Sequence, residues 1–288
     1  MSYQSIFKPG LFADQVILVT GGGSGIGRCT AHELASLGAQ LVLVGRGQEA
    51  LEKTAAEIES DGGQASWQCC DIRNAESVAD LVTKIVDRHG RIHGLFNNAG
   101  GQFPAPLEEI SPNGFDAVVR TNLNGGFLMM REVYRQSMQS HGGAIVNMLA
   151  DHWNGMPGMA HSGAARAGMA NLTRTAALEW AKSGVRVNAI APGWIASSGL
   201  DKYEGAAAAM IPMLSNAVPL KRMGTESEVS AAVVFLLSPA AAFISGDLMR
   251  IDGAASLGGR LWPLTDHDNS QPYNGFHRAK APEALKDN

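Results

Sequence analysis

A glycine-rich segment near the N-terminus has the spacing of a phosphate-binding turn. Residues 20–27 read T-G-G-G-S-G-I-G and directly follow the apolar run 16–19. Glycines in such a turn let backbone N–H groups approach a pyrophosphate at the positive end of the helix that follows. The sequence therefore predicts a dinucleotide cofactor, held by Gly21, Ser24, Gly25, Ile26 and Gly27.

The end of the second predicted strand, residues 41–44, bears on which dinucleotide binds. An acidic side chain there would accept hydrogen bonds from an unphosphorylated ribose and would repel a 2′-phosphate. Gly45 occupies that place and Arg46 follows it. Because a guanidinium can make charge-assisted contacts with a phosphate, Arg46 favours NADPH over NADH. The alternative is an arginine that is simply solvated at the end of a strand.

Ser162 and Arg166 lie four residues apart in the segment S-G-A-A-R. A serine hydroxyl is a far weaker acid than a phenol, and an arginine beside it cannot give up its proton. The pair is therefore a poor general acid for a ketone and a poor base for an alcohol. It is better suited to stabilising an oxyanion that forms during a reaction.

Short β-type runs alternate with helical patterns along the chain, which is typical of parallel βαβ units. The predicted strands are residues 16–19, 41–44, 65–70, 92–96, 144–148, 185–190 and 248–251. The predicted helices run from the glycine turn to residue 37 and over residues 48–60, 74–88, 113–138, 164–182 and 226–237. We therefore predict an α/β fold, a single doubly wound Rossmann domain with about seven parallel strands, helices on both faces and a crevice at the carboxyl ends of the strands.

The predicted single domain spans residues 1–288, with a Rossmann core over 10–253. Residues 196–222 interrupt the alternation and are rich in Ala, Met, Pro and Leu. They are expected to form a mobile, apolar substrate lobe, and a plain surface helix is the alternative. Residues 254–288, which include Trp262 and Pro263, have little periodicity and are expected to form an extended arm against another subunit.

Composition excludes several classes of function. The formal net charge is −4 and no run of Lys or Arg could follow a phosphate backbone, so nucleic acid is not an expected partner. The three cysteines, Cys29, Cys69 and Cys70, have neither the number for a disulfide framework nor a zinc spacing, and no metal is expected. No apolar stretch approaches the roughly 18 residues of a membrane span, so no membrane association and a cytoplasmic location are expected.

Three further motifs accompany the glycine turn. Asp71-Ile72 follows the third predicted strand, Asn97-Asn98-Ala99-Gly100 follows the fourth, and Pro192-Gly193-Trp194-Ile195 follows the sixth. Together with the turn, they resemble the short-chain dehydrogenase/reductases over about residues 10–253. The resemblance implies adenine contacts from the first motif, ribose contacts from the second and a carboxamide contact from the third. The cofactor-binding residues it implies are Asp71, Ile72, Asn98, Ala99, Gly100, Pro192, Gly193, Ile195 and Ser197.

The catalytic positions of this family are altered in the chain. In the wider family a Ser orients the substrate, a Tyr gives the proton, a Lys lowers the pKa of that Tyr, and an Asn holds a water. Asn122 fits the last role, whereas Ala150, Ser162 and Arg166 stand at the Ser, Tyr and Lys positions. The resemblance therefore favours reduction of an enoyl thioester, in which hydride goes to Cβ and charge gathers on the thioester oxygen. Ser162 would donate to that oxygen, and Arg166 would hold the nicotinamide ribose and add positive potential.

The altered segment 161–168 gives a closer resemblance. With Gly100-Gly101-Gln102-Phe103 and residues 237–241 and 266–269, it is similar to the peroxisomal trans-2-enoyl-CoA reductases. The 2,4-dienoyl-CoA reductases share the small residue in place of Tyr. Bacterial relatives of this branch are also assigned to citronellol or citronellal oxidation.

Proton transfer has several candidate residues. In dienoyl-CoA reductases an Asp or Tyr near the position of Asp151 helps to protonate the substrate, so Asp151 is either a proton-transfer group or a loop carboxylate. His152 and His161 are interpreted as loop histidines rather than catalytic groups. Tyr203, in the predicted lobe, is the only nearby tyrosine that could act as a substitute acid, and the sequence does not favour it.

The hypothesis is an NADPH-dependent reductase of the C2–C3 double bond of a trans-2-enoyl-CoA. Its predicted catalytic residues are Asn122, Ser162, Arg166 and Asp151, and its predicted substrate partner is an acyl-CoA thioester. One alternative is a citronellol/citronellal-type alcohol or aldehyde dehydrogenase, and another is an NADP(H)-binding sensor or partner subunit with impaired catalysis. The family resemblance also suggests a homotetramer built on the helices near residues 113–138 and 164–182.

Overall fold

Seven parallel strands form the central sheet of the protein. The structure is a computed structural model and describes residues 2–257 and 264–286. The strands of the sheet follow the order β3-β2-β1-β4-β5-β6-β9, and a separate small sheet joins β7 to β8. Within the described residues the strands are β1 Val16–Thr20, β2 Gln40–Gly45, β3 Gln64–Cys69, β4 Gly94–Asn97, β5 Gly143–Met148, β6 Val185–Pro192, β7 Ile195–Ala196, β8 Gly224–Thr225 and β9 Leu248–Ile251.

Helices cover both faces of this sheet. In the described part of the chain they are α1 Gly25–Ser36, α2 Gln48–Ser60, α3 Ala75–His89, α4 Pro112–Val119, α5 Gly126–Val133, α6 Gln139–His141, α7 Ala160–Trp180, α8 Gly205–Met210 and α9 Glu226–Leu237. Alternate residues of a strand point to opposite faces, and β1 shows this directly. Val16 and Leu18 join an apolar cluster with α3, α5 and α7, whereas Ile17 and Val19 join one with α1, α2 and α9. The predicted doubly wound α/β domain is confirmed.

The strand order places a crevice where the functional motifs were expected. Strand β1 pairs with β2 on one side and with β4 on the other, and all three run parallel. The chain therefore winds away from β1 in opposite directions, and loops from the two halves diverge at the carboxyl ends of β1 and β4. The glycine turn follows β1, and Asn98 follows β4 directly.

A π-helical segment interrupts the long helix after β4. Residues Arg120–Gly125 have π-helical hydrogen bonding between α4 and α5, and Tyr134–Met138 repeat it between α5 and α6. Such segments frequently lie at functional sites, because the extra residue per turn redirects a side chain. Asn122 is buried in the first of them. The sequence predicted one helix here without the interruption.

Helix α7 begins earlier than the sequence suggested. Its first residue is Ala160 rather than residue 164, so Ser162 and Arg166 both lie within its first two turns. Gly163 concealed this start, since glycine is a weak helix former. Here the missing side chain has a packing reason, because a Cβ on Gly163 would lie 3.2 Å from the Cβ of Met156. The longer helix holds both candidate catalytic side chains on a rigid element.

The predicted lobe and arm have little regular structure. The lobe contains α8 and a 3-10 helix over Ile211–Ala217. In the arm, residues 264–286 contact their own chain: Phe276 is buried beside Tyr3, and Arg278 forms an ion pair with Asp61 at 2.7 Å. The predicted contact with another subunit stays a prediction, and Trp262 and Pro263 lie outside the described residues. None of the described helices has the length and apolar composition that crossing a membrane requires.

Candidate functional site

The glycine turn lies between β1 and α1, as predicted. Gly21 and Gly25 have left-handed backbone, with φ of +68° and +54°, a region that residues with a Cβ rarely adopt. Ser24 precedes α1, and its hydroxyl makes no capping hydrogen bond. The first N–H groups of α1 are therefore free of a side-chain cap, which is the arrangement that an anionic phosphate needs.

Asn98 holds the glycine turn against the end of β4. Its Nδ2 donates to the backbone oxygen of Thr20 at 2.9 Å, and its own backbone N–H donates to the Thr20 hydroxyl at 2.9 Å. A Cβ on Gly27 would lie 2.5 Å from Asn98 Nδ2, and one on Gly21 would lie 2.8 Å from it. Both positions therefore require glycine. Thr20 is part of the predicted motif, but the sequence did not indicate that its hydroxyl accepts this hydrogen bond.

A cavity of about 320 Å³ opens beside the turn. The predicted cofactor residues that line it are Gly21, Ser24, Arg46, Asp71, Ile72, Ala99 and Gly100. The cavity is lined by glycines, by the uncapped N-terminus of α1 and by the basic side chains of Arg46 and Arg73. These features fit a dinucleotide with a pyrophosphate, which would lie against backbone N–H groups rather than side chains.

The end of the cavity lined by Asp71 carries an ion pair that the sequence did not reveal. Both oxygens of Asp71 accept hydrogen bonds from Arg73, the shortest at 2.6 Å. The Arg73 guanidinium holds the pKa of Asp71 at about 2, so the carboxylate is charged at neutral pH. Arg46 is exposed, and among the described residues it forms no ion pair. Of these two cations, only Arg46 keeps its guanidinium free for a ligand.

The Pro-Gly loop leaves β6 beside the end of β9. The N–H of Gly193 donates to the backbone oxygen of Ile251 at 3.0 Å, and a Cβ on Gly193 would lie 2.8 Å from the Cβ of Asp252. Pro192 closes β6, and Ile195 is buried at the start of β7. Ser197 follows in the lobe, where its backbone oxygen accepts the N–H of Leu200 at 3.0 Å. The cofactor contacts expected from this loop stay predictions.

Ser162 and Arg166 are both buried on α7, one turn apart. The Ser162 hydroxyl has no exposed surface and donates to Oε1 of Gln102 at 2.7 Å. Residues at i and i+4 share a face of a helix, so these two side chains lie side by side. In the sequence, Gln102 was only one of the residues that carry the family resemblance. Its contact with Ser162 is seen only in the structure.

Arg166 is a buried cation. Its Nη1 donates to the backbone oxygen of Met148 at 2.5 Å, and Nε has no hydrogen-bond partner. Burial lowers the pKa of Arg166 to about 10, so the guanidinium remains charged at neutral pH. Within the described residues no carboxylate forms an ion pair with it. A buried charge without a counter-ion produces strong positive potential where water is excluded.

Asn122 holds the backbone that leads to Gln102. Its Nδ2 donates to the oxygen of Gly101 at 2.9 Å, and its Oδ1 accepts the N–H of Gly101 at 2.8 Å. A Cβ on Gly100 would lie 2.6 Å from Arg166 Nη2 and 2.8 Å from Asn122 Oδ1. Asn122 and Arg166 therefore converge on Gly100. The role of Asn122 in holding a water stays a prediction, and its visible role is to fix this loop.

Asp151 and His152 lie in the connection between β5 and α7, and His161 lies in the first turn of α7. Asp151 Oδ1 is buried without a hydrogen-bond partner. His161 is fully buried, packs edge-on against Phe103 and accepts the backbone N–H of Ser162 through Nδ1 at 2.8 Å. His152 Nδ1 lies 3.0 Å from the oxygen of Ala150. The proton-transfer role of Asp151 is not decided by these contacts.

The described residues contain no group of three or more His, Cys, Asp or Glu side chains arranged to hold a metal ion.

Glu226 adds an acidic group next to the glycine turn. It begins α9, and its Oε1 lies 3.9 Å from where a Cβ on Gly25 would be. Burial raises the pKa of Glu226 to about 7, while Arg28 and the backbone N–H of Ser198 act in the opposite direction. Burial, and then the charge of Glu226, raise the pKa of the Cys29 thiol. No sequence motif marked Glu226, because its proximity to the turn depends on how α9 packs on α1.

Glu226 predicts a pH-dependent stability. The folded chain keeps a proton on Glu226 up to a pH of about 7, whereas an unfolded Glu releases it near its usual pKa of 4.5. The folded state then binds more protons in that interval, so the free energy of unfolding should fall as pH rises through it. Glu226→Gln should remove the contribution of Glu226 to this decrease in the free energy of unfolding. Urea unfolding between about pH 5 and pH 8 measures the effect. Glu49→Gln, at an exposed position of α2, is the control, and equal pH slopes for wild type and Glu226→Gln would contradict the assignment.

Comparisons with known proteins agree with this geometry. A family model described as enoyl-(acyl carrier protein) reductase matches residues 21–256. A probable 2,4-dienoyl-CoA reductase of Bacillus subtilis (strain 168) is 41% identical over 243 residues, covering 83% of this chain and 95% of its own. The solved structure of a citronellol catabolism dehydrogenase of Pseudomonas aeruginosa PAO1 is 64% identical, with a TM-score of 0.80, covering 88% of this chain and 100% of its own. A solved levodione reductase is 35% identical, with a TM-score of 0.82, covering 86% of this chain and 100% of its own.

The family model spans most of the chain, and the relatives combine identities above one third with nearly complete coverage. These relatives match the fold described above, and they are named for different substrates. With the glycine turn and the α7 segment in the positions described above, the protein is an oxidoreductase that belongs to the short-chain dehydrogenase/reductase family.

Proposed function

We propose that the protein reduces the C2–C3 double bond of a trans-2-enoyl-CoA with NADPH. The observation that carries this proposal is the buried guanidinium of Arg166, which lies one helical turn from Ser162 and has no carboxylate partner among the described residues. Neither a Tyr nor a Lys occupies these two positions. Such a site supplies positive potential and hydrogen bonds, and it lacks the phenol and ammonium pair that carbonyl reduction uses.

The reaction needs stabilisation of negative charge on the substrate. A bound reduced nicotinamide supplies the hydride, and addition at Cβ places the negative charge on the thioester oxygen as an enolate. Ser162 and Arg166 are the groups that would stabilise this oxyanion, the first by hydrogen bonding and the second by charge. Because Arg166 is protonated well above neutral pH, its contribution requires no proton transfer.

The apolar surface around the lobe supports a substrate with a hydrocarbon chain. Met210 and Met213 are exposed in the lobe, and Trp194 and Phe103 are partly exposed on neighbouring loops. Exposed apolar side chains near a crevice are commonly used to bind apolar ligands. Methionine adapts to different shapes, so this surface suits an acyl chain and also a branched terpenoid.

A second candidate function is a citronellol/citronellal-type dehydrogenase. It is favoured by the 64% identity to a citronellol catabolism dehydrogenase. The 41% identity to a probable 2,4-dienoyl-CoA reductase favours the thioester instead. An alcohol or aldehyde substrate would need a general acid or base that Ser162 and Arg166 do not provide.

Substrate choice can be tested by following NADPH oxidation with a trans-2-enoyl-CoA, a trans,trans-2,4-dienoyl-CoA and citronellal in parallel, and NADP⁺ reduction with citronellol. We expect turnover of a conjugated thioester. Ser162→Ala and Arg166→Ala should each lower kcat by about 100-fold, the usual effect of losing an oxyanion donor. Arg88→Ala, at an exposed position of α3, is the control.

If the protein turns over only citronellal or citronellol, the second candidate function replaces the reduction of a thioester. NADPH binding without turnover in any assay would favour a sensor or partner subunit. Thioester turnover that Ser162→Ala and Arg166→Ala leave unchanged would remove these residues from the mechanism.

Arg46 should determine the preference for NADPH. The free guanidinium at the rim of the cavity is suited to the 2′-phosphate. Arg46→Ala should weaken NADPH binding by roughly 10- to 100-fold, since hydrogen bonds to charged groups contribute about 1.5–3 kcal/mol, and should leave NADH binding unchanged. Fluorescence titration with both cofactors measures the effect, and Lys53→Ala, which removes an exposed cation from α2, is the control. Equal losses for NADPH and NADH would contradict a 2′-phosphate contact.

We further infer a homotetramer that uses α4, α5 and α7. Leu178 is 81% exposed on α7, and Phe115 and Phe127 are partly exposed on α4 and α5. Large apolar side chains left on a surface commonly lie at subunit interfaces. Leu178→Glu should lower the mass measured by light scattering, and Ile6→Glu, at an exposed N-terminal position, should not. A monomeric mass for the unaltered protein would refute the assembly.

A further inference from the structure

The Ser162 hydroxyl donates its hydrogen bond to another side chain of the protein. Its Oγ donates to Gln102 Oε1 at 2.7 Å, and no part of Ser162 is exposed. A hydroxyl has one hydrogen to donate. Donation to the thioester oxygen therefore requires Ser162 to exchange its bond to Gln102 for one to the substrate.

The Gln102 amide joins Ser162 to the lobe. With Oε1 assigned toward Ser162, its Nε2 is directed at the phenolic oxygen of Tyr203 and donates to it at 3.1 Å. An amide nitrogen cannot accept a hydrogen bond, so the Tyr203 oxygen is the acceptor. The phenolic hydrogen of Tyr203 therefore remains free to point at another group.

Both ends of this bridge are supported by backbone. Gly101, next to Gln102, is held through its N–H and its oxygen by Asn122. The backbone N–H of Tyr203 donates to the oxygen of Leu200 at 3.1 Å, and Leu200 is buried. The two hydroxyls are therefore held on either side of one amide group, with Ser162 on the core helix and Tyr203 on the lobe.

Tyr203 also has the chemistry that Ser162 lacks. A phenol is a much stronger acid than an aliphatic alcohol, so it can lose a proton to a carbanion-like carbon at neutral pH. Tyr203 is partly exposed, whereas Ser162 has no contact with solvent. Water can therefore restore the proton of Tyr203 after each turnover.

We propose that Tyr203 is the proton donor of the reaction and that Gln102 is the positioning residue that holds its phenol. This proposal rests on the proposed reduction of a conjugated thioester. When a nicotinamide bound in the cavity supplies a hydride to Cβ, the π electrons of the C2–C3 double bond would move to form the enolate. The O–H bond of Tyr203 then breaks, the C–C π pair of the enolate takes its proton to form the C–H bond at Cα, and a lone pair on the enolate oxygen restores the thioester carbonyl. The resulting phenolate takes a proton from water.

Tyr203→Phe tests the donor directly, because it removes only the hydroxyl. We expect kcat with the thioester to fall by about 100-fold or more, the range of general acid catalysis. The dissociation constant of NADPH, measured by fluorescence titration, should change by less than about twofold, since Tyr203 has no place in the cofactor cavity. Asp151→Asn is the matched variant for the competing donor.

Gln102→Glu tests the positioning role with a side chain of nearly the same shape. A carboxylate can accept from both hydroxyls, so it would turn the Tyr203 hydrogen away from the substrate. We expect kcat to fall about as far as in Tyr203→Phe, with a smaller change in KM, whereas a merely structural role would leave kcat close to that of the unaltered protein. Unfolding midpoints and NADPH binding of each variant show that the fold is retained.

The outcomes separate this proposal from the proposed function. Thioester turnover by the unaltered protein that Tyr203→Phe leaves intact overturns Tyr203 as the donor, while the proposed function stands. Loss of turnover in Asp151→Asn alone assigns the proton to Asp151 instead. If the unaltered protein reduces no thioester, the proposed function fails first, and the donor assignment fails with it.

Discussion

The positive charge of Arg166 is the constraint around which the site is organised. Removing a guanidinium from water is unfavourable unless hydrogen bonds or an opposite charge offset it. Among residues 2–257 and 264–286, the offset is one hydrogen bond to the Met148 backbone oxygen, and Nε has no partner. The first turns of α7 and the end of β5 must hold this charge in place. A site with such an uncompensated cation favours any ligand or intermediate that brings negative charge to it.

The neighbouring loop is shaped by the space that Arg166 occupies. Gly100 has to be a glycine because a side chain there would overlap the guanidinium and the Asn122 amide. Asn122 then fixes Gly101 through two hydrogen bonds, and the chain emerges with Gln102 directed at Ser162. The π-helical segment between α4 and α5 contributes to this arrangement, because it carries Asn122 into the buried position from which it reaches the loop. The catalytic side chains and the loop that carries Gln102 therefore form one connected unit.

Under the proposed function, reaction type and substrate choice would depend on different parts of the fold. Helix α7 carries the buried charge and the hydroxyl that would restrict the chemistry. The lobe carries the exposed side chains of Met210 and Met213, which would restrict the shape of the substrate. Relatives with one fold and differently named substrates are consistent with this division, since exposed loops change more freely than the packed core that carries them.

The sequence by itself determined the class of fold, the glycine turn, the free arginine at the end of β2 and the spacing of Ser162 and Arg166. These features are local, because a strand run, a turn or a helical repeat is specified by residues within a few positions of one another. The tertiary structure alone decided which side chains meet. Ser162 and Gln102 are 60 positions apart, and Gln102 and Tyr203 are 101 apart. Glu226 reaches the glycine turn only because α9 packs on α1. Such contacts depend on how loops of differing length return to the same edge of the sheet, and no local pattern in the chain encodes that.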